Sequence, residues 1–370
     1  MRGLYNNINN ILNQMDFNAL WKGFKKYPFA LYNEKTVYFE ASEIPYNTQF
    51  IGNTSIIYNK EPIAIWYVSD PSNEDPEILA SNLVHEMFHA FQKEQGESRF
   101  PNDFMILDYP DDVRNYELKY AENQILAQGF LATDIEEKRN LLQQFISIRN
   151  ERKKRIGDMI QCEFLTETVE GLAEYVGTMA LKQISKIKYT DRINTYLEIL
   201  KVLDNNLFDI RRISYYIGTV FYITAVDSGV SIYPDLGKCI KSTYEMIACN
   251  FTCKETLHIQ TSMEVKEKVQ EHVKQKVKQL EDFMNRDHRC IIVDCTICGY
   301  DPMNMIKVNE YILCSHFIML CDNQTNEQKF IKGPVLLEMK KDTMYQVISY
   351  YELMLVYKCG HGKFNTLKYL

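Results

Sequence analysis

The chain has 370 residues, enough for two or three domains with cores of ordinary size. Its 46% hydrophobic and 25% charged residues belong to a globular protein and exclude wholesale disorder. A formal net charge of −7 argues against a nucleic-acid partner, which calls for a basic stripe against phosphate, and gives no grip on an anionic membrane surface.

The first ten residues carry no apolar core of signal-peptide length. The longest uncharged apolar run, residues 213–226, is too short to span a bilayer. Ten cysteines without an export signal read as reduced thiols, so a cytoplasmic location is expected.

Residues 1–35 look helical and amphipathic, with Leu4, Ile8, Ile11 and Leu12 at helical spacing. From Thr36 to Asp70 the texture is that of strands, at residues 37–39, 55–58 and 63–68, with Gly52-Asn53 and Asn59-Lys60 as turn signals. The strand at 63–68 is expected to offer its edge to an extended peptide. Asp75 then suits an N-cap and Pro76 a first helical position, predicting a helix to about Gln95 with Gly96 as its stop.

That helix carries His85, Glu86 and His89. Two histidines four apart lie on one helical face, so two neutral imidazoles can reach one zinc ion at about 2.0–2.1 Å. Glu86 stands where it can deprotonate a zinc-bound water. Val84, Met87, Phe88, Ala90 and Phe91 are uncharged, so the helix is expected to be buried, and a buried Glu86 then needs a reason.

Residues 112–230 are nearly all helical in pattern. Within them the run 149–155 has five basic residues in seven, read as a solvated face or as counter-charge to an acidic column. The column is on a helix over 161–185, where Glu163, Glu167, Glu170 and Glu174 are spaced 4, 3 and 4 apart. Like charges at such spacing repel, so cations are expected to face them unless the column is solvated. Gly171 and Ala173 beside Glu170 allow another helix to approach closely. The metzincin completion is absent, because the positions it needs after His89 are Gln92 and Gln95.

The segment Glu170-Gly171-Leu172-Ala173-Glu174-Tyr175 resembles the Glu-Gly-Phe-Ala-Glu-Tyr type segment of the gluzincin metallopeptidases, which include thermolysin-like enzymes and aminopeptidases of the aminopeptidase N kind. The resemblance implies one zinc ion, Glu170 as its third ligand beside His85 and His89, and Glu174 as the group that hydrogen-bonds a ligand histidine. Ser214-Tyr215-Tyr216-Ile217-Gly218 resembles the downstream Tyr-x-x-Gly segment of the aminopeptidase-like members, which implies that the Tyr215 hydroxyl faces the substrate oxyanion. The Gly-x-Met-Glu-Asn amine anchor has no counterpart, so exopeptidase activity is not supported. The 81 positions from His89 to Glu170 far exceed the family's usual gap and make residues 97–160 a helical insertion.

Thr261 and Glu264 form a capping-box pattern ahead of an amphipathic helix with Val265, Val269, Val273, Val277 and Leu280 on one stripe. Strands are then expected at 290–293, 311–320, 335–339 and 344–357, making a small antiparallel domain. Cys295-x-x-Cys298, with Cys290, Cys314 and His316 nearby, is weighed as a structural zinc site, with free or buried thiols as the default; Cys314 and His316 read as alternate residues of one strand.

The expectation is an α+β fold with a sheet lobe and HExxH helix over 1–96, a helical lobe over 97–260, a connecting helix over 261–286 and a β domain over 287–370. The expected activity is zinc-dependent hydrolysis of a peptide or protein substrate, with no nucleic-acid or membrane partner. The 261–286 helix or the β domain is the candidate surface for a protein partner. Two rivals stand beside it: a zinc hydrolase of a non-peptide amide or ester, and a non-catalytic zinc-binding interaction protein.

Overall fold

The computed structural model describes residues 1–40, 42–232, 236–252 and 258–354. They form a mixed α+β architecture of a small N-terminal sheet, a helical middle region and a C-terminal antiparallel sheet. The chain divides into two compact units, Met1–Val269 and Gln270–Leu370.

The first unit opens with α1 (Arg2–Asn13) and α2 (Phe17–Leu20), and helix ends there rather than near residue 35. A strand follows, β1 (Phe29–Tyr32), ahead of β2 (Thr36–Phe39), β3 (Ser42–Pro45), β4 (Thr54–Tyr58) and β5 (Glu61–Tyr67). All four residues of β1 are buried, so it shows no alternation by which to tell it from a buried helix turn. The sheet order is β3-β2-β1-β5-β4, with β1 parallel to β5 and the other pairs antiparallel. The 63–68 strand is therefore interior. β1 occupies the side expected to be open, and the outer edges are β3 and β4.

The helix α3 (Pro76–Glu94) starts as its sequence dictates: the Asp75 side chain accepts from the N–H groups of Glu77 and Ile78 at 2.9 and 3.2 Å. Gly96 ends it at φ +80°. Beyond it lie α4 (Asp103–Leu107), α5 (Val113–Leu131), α6 (Ile135–Ile156) and α7 (Gln161–Thr166). One π turn, Glu167–Gly171, joins α7 to α8 (Leu172–Ile184), so the helix expected over 161–185 runs with one wide turn in its middle. α9 (Lys186–Lys201), α10 (Ile210–Asp227) and α11 (Thr243–Ala248) complete the unit. One core joins Trp21, Phe24 and Phe88 to Leu172, Val176 and Phe221, so the sheet lobe and the helical lobe are not separate bodies.

The basic run 149–155 divides. Lys153, Lys154 and Arg155 are exposed, but Arg149 and Arg152 are wholly buried, which corrects the solvated-face reading for those two. The helix α12 (Met263–Met284) is capped one residue later than expected: Ser262, not Thr261, accepts from the Val265 N–H at 3.2 Å. Its first two stripe residues, Val265 and Val269, pack with Tyr109, Tyr116 and Phe208.

The second unit holds β6 (His288–Tyr300), β7 (Met305–Val308), β8 (Tyr311–Cys314), β9 (Phe317–Asp322), β10 (Gln328–Lys332), β11 (Val335–Met339) and β12 (Gln346–Leu353). They pair antiparallel in the order β10-β9-β6-β12-β11-β8-β7. The strand expected over 311–320 is two strands broken at Ser315-His316. Cys314 and His316 therefore do not alternate on one strand; the His316 ring instead bonds Asp301 at 2.6 Å. The end of the last expected strand, residues 355–357, lies outside the described residues. The apolar run 213–226 is part of α10, and no helix among the described residues is long and apolar enough to cross a membrane.

Candidate metal centre

The candidate site is built where α3, the π turn with α8, and α10 meet, and small residues permit the approach. A Cβ added to Gly177 of α8 would stand 3.0 Å from the Ser81 carbonyl oxygen and 3.2 Å from the His85 Cβ on α3. A Cβ added to Gly171 would stand 3.0 Å from the Gly218 Cα on α10. Glycine at these crossings lets the backbones close, as the small residues beside Glu170 lead one to expect.

The α3 positions around the histidines are buried, and His85 and Glu86 are buried with them. Each imidazole is fixed from behind. The His85 Nδ1 meets Glu174 Oε2 at 2.8 Å, and Glu174 in turn accepts from the Tyr196 hydroxyl and lies 3.8 Å from Arg192. The His89 Nδ1 meets Gln92 Oε1 at 2.8 Å, and the Gln92 amide donates to the Val169 carbonyl at 3.0 Å. Both Nδ1 atoms are thereby engaged, and both Nε2 atoms turn to one point.

At that point the two Nε2 atoms are 3.1 Å apart, and Glu170 Oε2 lies 3.0 Å from His89 and 3.7 Å from His85. Ligand atoms of a tetrahedral zinc at about 2.0–2.1 Å stand roughly 3.3–3.4 Å apart, so these three donors fit the ion in number, type and spacing. His85, His89 and Glu170 are the only such group of potential metal ligands among the described residues. Cys295 and Cys298 form no second one: the first is buried, the second exposed, and both are free thiols.

The second oxygen of Glu170 is also held. Its Oε1 accepts from Arg211 at 2.8 Å, and Arg211 pairs with Asp103 on α4. Tyr215, one turn along α10 from Arg211, lays its ring against His85 with centroids 5.8 Å apart and planes 11° from parallel.

The electrostatics favour a cation. Burial pushes His85 toward the neutral form, but hydrogen bonds to Glu170 and Glu174 outweigh it and hold the imidazole up at about 10. Burial likewise raises Glu170 and Glu174, yet their contacts to the imidazoles prevail. Glu170 is held well below the usual carboxylate range and Glu174 down to about 2. Glu86 is pushed up by burial against the pull of His85 and His89. Burial and the charge on Glu170 hold the Tyr215 hydroxyl well above its ordinary value, so it is a proton donor at neutral pH.

The structure thus brings His85, Glu86, His89, Glu170, Glu174 and Tyr215 together. Gln92, Asp103, Tyr196 and Arg211 also serve the site, and only Gln92 carried a sequence signal: a polar residue one turn past His89 on a buried helix. The other three come from elements whose packing no local pattern reveals. Comparison with family models, curated proteins and solved structures finds no match to this chain.

Proposed function

We propose that this chain is a zinc-dependent peptidase of the gluzincin kind, with His85, His89 and Glu170 as the metal ligands. The observation that carries the reading is the triangle of three donors, His85 buried and His89 and Glu170 half-buried, whose far sides are already engaged by Glu174, Gln92 and Arg211. A purely structural zinc site is usually closed by four protein ligands, whereas this one gathers three and keeps a carboxylate beside them.

When bound, zinc supplies a Lewis acid that polarises a carbonyl and acidifies water. The chain's own residues do the rest. Glu86, raised by burial, takes a proton from the attacking water and returns it to the leaving amine. The Tyr215 hydroxyl donates to the oxyanion that develops on the scissile carbonyl. Glu174 and Gln92 keep the imidazoles in the tautomer that presents Nε2. The extended peptide lies along β4, the edge strand nearest α3, in place of the interior strand β5.

The test is cleavage of unstructured protein and peptide substrates by zinc-loaded protein. Activity is expected to vanish with chelator and return with zinc. Glu86→Gln is expected to retain the metal and to lower kcat by between about 100-fold and 10,000-fold. A metal-replete chain that cleaves no peptide overturns the peptidase reading. Hydrolysis of small amides or esters would then point to the non-peptide hydrolase, and no hydrolysis at all to the interaction protein.

A further inference from the structure

Lys93 follows Glu86 and His89 on the site-facing stripe of α3, at spacings of three and four residues. A lysine in the last turn of a helix serves the macrodipole wherever it points, but this one reaches across to the edge strand. Its Nζ lies 3.1 Å from Ser55 Oγ and 3.3 Å from the Ser55 carbonyl oxygen. Its neighbour Glu94 pairs with Lys25 at 3.2 Å; Lys93 has no ion-pair partner among the described residues.

The place it occupies is defined by the sheet register. Ser55 stands opposite Ala64 of β5, and the Ala64 N–H donates to the Pro28 carbonyl, away from β4. The Ser55–Ala64 pair is therefore a non-hydrogen-bonded one, and the backbone groups of Ser55 point outward from the sheet. Lys93 holds an outward carbonyl that a strand added to β4 would otherwise meet. Its charge also acts on Glu86 and Glu170, which lie beyond ion-pair distance.

We propose that Lys93, at the seam between α3 and β4, forms a subsite for an acidic side chain of the peptide substrate. The inference rests on the peptidase reading and specifies its substrate class: an extended peptide with Asp or Glu close to the bond that is cut. Seven residues of helix separate Lys93 from Glu86, a rise of about 10 Å. At about 3.3 Å per residue of extended chain, the acidic residue falls within roughly three positions of the scissile bond. An incoming carboxylate gives the ammonium the counter-charge it lacks and releases the Ser55 carbonyl to the peptide backbone.

The test compares kcat/KM of the zinc-loaded full chain on peptide pairs that differ only by Glu against Gln at one of those positions. Wild type is expected to favour Glu roughly five- to tenfold at one position, more at low salt than at high. Lys93→Met should bring the ratio to one, Lys93→Glu should turn it toward Lys over Gln, and Lys93→Arg should keep it. Zinc content equal to wild type in each variant separates a lost subsite from a lost fold. If wild type and Lys93→Met cleave with the same ratio, the subsite is wrong and the peptidase reading stands. If zinc-loaded wild type cleaves no peptide, both fall together.

Discussion

One acidic column has two fates along a single helix. Glu163 and Glu167, at its start, face guanidinium and ammonium groups: Arg149 holds Glu167 through two bonds of 2.6 and 2.5 Å, and Arg152 and Lys119 hold Glu163. With Glu122, which pairs both arginines, three acids meet three bases, each fully buried. Glu170 and Glu174, one and two turns on, each turn Oε2 to an imidazole, with Arg211 and Arg192 on the Oε1 side. The π turn carries both Glu167 and Glu170 and widens the helix where the partner set changes. Residue type and spacing are the same in both halves. A carboxylate with both oxygens held by permanent cations is part of the scaffold, whereas Glu170, with Arg211 on Oε1 alone, keeps Oε2 turned to the imidazoles.

The contrast can be broken in four ways, in descending size of effect. Glu170→Gln is expected to weaken zinc binding by more than about 100-fold, beyond what loss of a supporting partner costs, while leaving the metal-free protein folded. Unchanged metal content by elemental analysis would remove Glu170 from the ligand set. Arg152→Met leaves Glu122 and Glu163 short of a partner in the interior and is expected to cost about 3–5 kcal/mol in urea unfolding. A stability within 1 kcal/mol of wild type, on the order of a surface change, would show that the first half of the column is not scaffold. Glu174→Gln should lower zinc affinity by about 10- to 100-fold with the ligands intact; a calorimetric titration decides it.

The smallest effect concerns acid. Glu163 is held below its ordinary 4.5, Arg152 and Lys119 outweighing the burial that raises it. A depressed carboxyl contributes stability above its unfolded value and loses it as pH falls toward the folded one. The stability gap between wild type and Glu163→Gln should thus be full above about pH 5 and narrow on acidification. A gap that stays constant down to pH 3 would mean that the ion pairs are not its source.

Much of this was legible in the chain. Asp75, Pro76 and Gly96 mark both ends of α3, and the four-residue step from His85 to His89 sets their common face. The spacing 4, 3, 4 marks the acidic column but not its division, because the arginines that claim half of it are 11 to 18 positions away and look like part of a solvated run. β1 is hidden because burial on both faces erases the alternation that betrays a strand. With β1 unseen, β5 passes for an edge, and the free edge moves to β4 only once the sheet is assembled.

The long stretch between His89 and Glu170 is not a passive spacer. It supplies Lys119, Glu122, Arg149 and Arg152 to the first half of the column, and Asp103 to the arginine that steadies Glu170. A shorter chain without residues 97–160 could retain Glu170 and Glu174. It could not retain Glu163 and Glu167, which would be left as bare buried anions. Glu163 and Glu167 are therefore tied to residues 97–160 by charge: neither can be buried as an anion without the bases that this stretch brings to it.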